Sequence, residues 1–148
     1  PDLPHRQRSD RHHRHRRQAD RRLRRFGLHH AGLHQDILVY RAATGAIDTI
    51  ESQGVWLGVV DDAGPLLEDS TFTLAEGDVV LTFSDGIVEA KVNGVAFGQT
   101  NLRQMFADLA GQKLPTSEIV KRIPDTVTTD DIRDDLTLLV ARRDGSKR

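Results

Sequence analysis

The chain has 148 residues, enough for one domain but not for two with separate cores. It contains no cysteine, which excludes disulfide scaffolds, thiolate metal sites and cysteine nucleophiles, and it has no apolar run of the ~18–20 residues that a membrane span needs. The formal charge of −1 is the sum of two unlike segments: residues 1–30 hold ten Arg against three Asp, and the rest hold eleven Lys and Arg against nineteen Asp and Glu.

Residues 1–28 are an Arg/His-rich tail. Up to Arg25 the only aliphatic side chains larger than Ala are Leu3 and Leu23. Such a segment buries too little apolar surface to offset chain entropy, so it is expected to be disordered or at most a solvated helix. Arg-rich arms bind nucleic acid through its phosphates, but no aromatic platform or groove-reading motif accompanies this one, and nucleic acid is not an expected partner. His12, His13 and His15 lack the further ligands that would close a tetrahedral metal site. An Arg/His/Pro-rich string beside ordinary globular sequence reads as GC-rich DNA translated out of frame, with the native frame resuming near His29–Ala31. No apolar h-region follows the basic N-terminus, so a secretory signal is not expected.

From residue 29 to 148 the patterning is that of a folded domain. Ile37–Tyr40 is a β-rich apolar run, Ala43-Thr44-Gly45 supplies turn chemistry, and Ile47–Ile50 alternates, which predicts a hairpin over 37–41 and 46–51. Gly54–Val60 is a Gly-bracketed apolar segment whose Trp56 is expected in the core. Asp61–Pro65 then breaks the chain. Ser70–Leu74 alternates with period two, and Val79–Phe83 is nearly continuous in apolar character, as in a strand covered on both faces. Leu102, Met105, Phe106 and Leu109 form one helical stripe near 100–110. Ile119, Val120 and Ile123 predict a second helix that stops before Pro124. An acidic stretch, Asp130–Asp135, leads into a strand over 135–142. Strands, then helices, then a returning strand make the fold class α+β.

Asp85 lies at the carboxyl end of one buried strand and Asp134 at the amino end of another. If those strands are antiparallel neighbours, the two ends coincide. Two carboxylates would then share one sheet rim, a setting for a hard cation such as Mg²⁺ or Mn²⁺, with Gly86 leaving room for metal-bound water. The plain reading is that Asp-Gly is a common turn pair and that four Asp in six residues make a solvated loop.

The string from Leu74 to Ala90, with Gly77-Asp78 and Ser84-Asp85-Gly86-Ile87-Val88-Glu89-Ala90 at its ends, resembles the "L-x-x-G-D … [TS]-D-G-[VI]-x-E-A" segment of PPM-type metal-dependent protein phosphatases, in their bacterial SpoIIE/RsbU-like branch. Gly54–Val59 is similar to "G-x-x-L-G-V", Phe97-Gly98 with Leu102 to "F-G-x-x-x-L", and Asp134–Leu138 to the terminal "D-D-[IL]-T-L" box. Ala31-Gly32-Leu33-His34 resembles "A-G-H" with one residue inserted. The resemblance implies a sandwich of antiparallel sheets flanked by helices, here a partial αββα sandwich. It also implies hydrolysis of phosphoserine or phosphothreonine by water bridging two Mn²⁺ or Mg²⁺ ions. Asp85 and Asp134 match metal ligands, while Gly86, His34 and Asp135 are adjacent to the site. The implied setting is bacterial, cytoplasmic signalling, and the implied partner is a phosphorylated regulatory protein such as an anti-sigma-factor antagonist. Nothing in residues 1–30 resembles the family's "G-D-x-[SA]-G-H-G" segment, which supplies a bridging Asp. Residues 29–148 therefore correspond to the C-terminal part of such a domain. The alternatives are a non-catalytic phosphatase-like interaction module, with or without a nucleic-acid-binding arm.

Overall fold

The computed structural model describes residues 26–31, 34–56, 58–127 and 135–145. The expected disorder of the tail up to residue 25, and the position of Asp134, lie outside these residues.

The main sheet has four antiparallel strands in the order β3-β2-β5-β8, where β2 is Ile37–Tyr40, β3 Ile47–Ile50, β5 Val79–Phe83 and β8 Leu138–Arg142. The β2–β3 hairpin closes where the sequence puts its turn: Gly45, at φ +74°, donates to the Arg41 carbonyl at 2.8 Å. A second layer pairs β1 (Phe26–His30) with β4 (Ser70–Leu74). β1 runs across position 28, so its first three residues, placed in the tail by composition, are already hydrogen-bonded into a sheet. Its Phe-Gly-Leu-His-His sequence has too little apolar alternation to announce a strand.

Period-two alternation splits the main sheet's side chains between two cores. Leu38, Val79, Leu81 and Phe83 face the helices, against Ile87, Leu102, Phe106, Leu109, Ile119, Ile123 and Val127. Ile37, Val39 and Val80 face the β1–β4 layer, against Phe72 and Leu74. Each fully buried side chain of this size contributes roughly 1.5–3 kcal/mol of transfer free energy. The fold is α+β: antiparallel sheets flanked by helices.

Three helices follow β5: α1 (Asp85–Glu89), α2 (Gly98–Gly111) and α3 (Thr116–Val127). The α2 stripe faces the sheet as its spacing predicts. α3 does not stop at Ile123. Pro124 lies inside it, because Val127 continues the stripe of Ile119 and Ile123 and is buried with them. Between α1 and α2 a two-residue hairpin pairs β6 (Lys91–Val92) with β7 (Val95–Ala96). Its turn residues, Asn93 at φ +53° and Gly94 at φ +79°, have the signs of a type I′ turn.

The segment from Glu51 to Asp69 has no strand among its described residues, only a single 3-10 turn at Gly64–Leu66. Trp56 is not in the core, for its exposure is 61%. Gly54 and Gly58, at φ +113° and +86°, turn the backbone on either side of it and break the extended run that the apolar composition suggests.

Candidate metal centre

β5 and β8 are antiparallel neighbours, with Phe83 opposite Leu138, so the end of one strand and the start of the other meet at one rim. The pairings Leu38↔Leu81 and Ile37↔Ile50 bring the start of β2 and the end of β3 to the same rim. His34, Asp36, Ser52, Ser84, Asp85 and Asp135 therefore lie along or beside one rim, from segments far apart in sequence.

Ser84 joins the two acidic boxes. Its backbone N–H donates to the Thr137 carbonyl at 3.0 Å. Its hydroxyl donates to the Asp135 carbonyl at 2.9 Å and accepts from the Thr137 N–H at 2.9 Å. Ser84 precedes α1 in an N-cap position, yet its side chain makes no capping bond because it is spent across the rim. Sequence reasoning passed over Ser84, because its partners lie 51 and 53 positions away in the chain.

Asp85 opens α1, is exposed, and accepts the Gly86 N–H through Oδ1 at 3.0 Å. Gly86 does not open the room for metal-bound water expected of it. It sits in the helix, and a Cβ there would fall 2.7 Å from the Asp135 carbonyl oxygen and 3.2 Å from Leu136 Cδ2. The space left by its missing side chain is filled by the neighbouring backbone, so it serves close approach of the two boxes rather than a water pocket. Asp135 is exposed and its carbonyl is held by Ser84. Asp134, the expected second ligand, lies outside the described residues.

The His34 N–H donates to Ser52 Oγ at 2.7 Å, and the Ser52 N–H donates to Asp36 Oδ1 at 3.4 Å. The His34 ring contacts the Gln35 carbonyl through Nδ1 and meets the His30 ring edge-on at 5.4 Å. His30 packs against Phe72 at 6.0 Å, and burial, then the nearby His34, pushes its imidazole below the ordinary histidine range. The sequence assigns His30 no role of its own, and β1 is what brings it here.

Oxygen donors from carboxylates suit a hard divalent cation. Among the described residues, however, no three His, Asp or Glu gather closely enough to hold one. Asp36, Asp85 and Asp135 are the described carboxylates along the rim, not gathered at one point, and an ion taking about six oxygens needs a closer set.

A family model described as stage II sporulation protein E (SpoIIE) matches residues 19–144. The chain belongs to the SpoIIE family. The match begins upstream of β1 and so includes residues 19–28. No curated protein sequence matches the chain. Solved structures with the same fold include the SpoIIE phosphatase domain of Bacillus subtilis, at TM-score 0.60 and 20% identity over 85% of this chain and 54% of that one. The RsbU and RsbW domains of a Mycobacterium tuberculosis protein give TM-score 0.60 and 21% identity over 84% and 34%. The SiaA-PP2C domain of Pseudomonas aeruginosa gives 0.55 and 21% over 74% and 43%. At these identities the likeness speaks for the fold, which is that of PP2C-type phosphatase domains. The chain spans about half or less of the length of these relatives. Among the described residues no helix is long and apolar enough to cross a membrane.

Proposed function

We propose that this SpoIIE-family chain carries the C-terminal half of a metal-dependent phosphoserine/phosphothreonine protein phosphatase, with Asp85 and Asp134 as ligands of Mn²⁺ or Mg²⁺. The observation that carries the reading is the Ser84 hydroxyl bond to Asp135, which fixes the Asp-Gly box against the Asp-Asp box at one rim. When bound, such ions lower the pKa of a coordinated water and neutralise charge on the phosphoryl oxygens. The chain's own part is to hold the carboxylates at the rim. The Gly86–Asp135 contact keeps their segments in register, and the Ser52–Asp36 bond braces the neighbouring loop. The substrate in this reading is a phosphorylated regulatory protein of the cytoplasm, of the anti-sigma-factor-antagonist kind.

The test is Mn²⁺ titration by calorimetry alongside hydrolysis of p-nitrophenyl phosphate. Asp85→Asn should abolish both Mn²⁺ uptake and any Mn²⁺-dependent turnover, and Asp130→Asn should barely change either. Equal losses in the two variants would reduce the rim to a generic acidic patch. Mn²⁺ uptake without turnover would assign this chain to the non-catalytic module.

A further inference from the structure

The loop joining β3 to β4 combines two properties that surfaces usually keep apart. Val59 and Leu66 are 67% and 50% exposed, Trp56 is more than half exposed, and Val60 joins them. Isolated exposed apolar side chains are ordinary, but three within five residues, one of them a tryptophan, mark an interaction surface. The same segment carries Glu51, Asp61, Asp62, Glu68 and Asp69 and no Lys or Arg, a formal charge of −5. All five carboxylates are exposed, and none forms an ion pair with a described residue. Among hydrogen bonds between described residues, Asp62 accepts the Gly64 N–H at 3.1 Å.

We propose that this loop docks a basic amphipathic segment of a partner protein, with Lys or Arg interleaved among large apolar side chains. The reading is independent of phosphatase activity. A surface that desolvates tryptophan and valine needs apolar atoms from its partner, and a segment that also carries five exposed carboxylates without ion pairs to described residues needs cations. The chain's own residues 1–25 supply the cations but only Leu3 and Leu23 as large aliphatics. A second copy docking symmetrically would supply apolar atoms but would bring five like charges against five. Of these three occupants, a segment carrying both properties meets both demands.

Trp56 is the only tryptophan, so its emission reports this loop directly. The probe is an 18-residue peptide of Lys and Leu at helical spacing, compared with Glu/Leu and Lys/Ser peptides of the same pattern. The Lys/Leu peptide should shift Trp56 emission to the blue, saturably, with affinity falling roughly tenfold between low and physiological salt. Asp61→Asn with Asp62→Asn and Glu68→Gln should weaken it about tenfold, and so should Val59→Ser with Leu66→Ser. Equal binding of the Glu/Leu peptide, equal binding of the Lys/Ser peptide, or no shift overturns the proposal. So does emission that is blue before any peptide is added: reddening with salt would assign the loop to the chain's own Arg-rich segment, and dependence on protein concentration to a second copy.

Discussion

Asp78 shows how one side chain can tie two sheet layers together. It is 1% exposed, and its carboxylate accepts the Ala42 N–H at 3.0 Å, the Ala75 N–H at 2.9 Å and Arg41 Nη1 at 2.9 Å. Arg41 also donates to the Thr73 carbonyl at 2.7 Å and to Asp48 at 2.6 Å. Breaking a buried pair leaves an uncompensated charge and several orphaned donors. Asp78→Ala should therefore lower stability by about 3–5 kcal/mol in urea unfolding, while Asp48→Ala, at the exposed end of the same cluster, should lower it by ~1 kcal/mol or less. His30 makes stability depend on pH. Its folded pKa lies below the unfolded value of about 6.5, so as pH falls the unfolded chain takes up the proton first. The contribution is complete above about pH 6.5 and is lost as pH falls from there through the lowered folded value. His30→Phe, which keeps a ring against Phe72, should flatten the decline in urea midpoint below that pH. An unchanged slope would assign the acid sensitivity to other groups.

At the scale of elements, burial overrides local preference in α3. Pro124 has no N–H to offer the Val120 carbonyl one turn back, yet the helix continues because Ile119, Ile123 and Val127 lie on one buried face. Pro124→Ala should stabilise the protein by roughly 1–3 kcal/mol, read as a higher melting temperature with an unchanged denaturant slope. The main-sheet strands and α2 were legible because alternation and helical spacing each coincided with burial. The end of α3 was not legible, because proline is a local signal and Val127 a tertiary one. The β6–β7 hairpin had its signal in the open: Asn93-Gly94 sits between Lys91-Val92 and Val95-Ala96, but strands of two residues are too short to show alternation. The reverse happened at Trp56, where composition suggested a core that the glycine-broken backbone does not supply. At the rim, Asp85 was readable from its place at a strand end. Ser84 and His30 were not, because their roles depend on Asp135 and His34, partners that only the fold brings near.

For the whole molecule, the two layers of the sandwich are unequal: four strands face two among the described residues. β1 and β4 cover Ile37, Val39 and Val80 but not the outer strand, where Leu139 is 55% exposed on the face opposite Leu138 and Val140. Leu139→Lys should leave stability within about 0.5 kcal/mol of the parent while raising solubility, measured by urea unfolding and by light scattering. A large loss of stability would mean that this face is covered in solution. The Ser84 bond across the rim has a consequence for how the molecule is made. Its partners, Asp135 and Thr137, are 51 and 53 positions downstream, at the entrance to β8. A ribosome reading from the N-terminus thus exposes Asp85 and both long helices before any residue able to fasten the rim has emerged. A chain halted at Val127 would carry the Asp-Gly box with the outer edge of β5 unpaired. On the proposed reading of the rim, Mn²⁺ affinity should therefore appear abruptly in chains long enough to include β8, rather than growing with length.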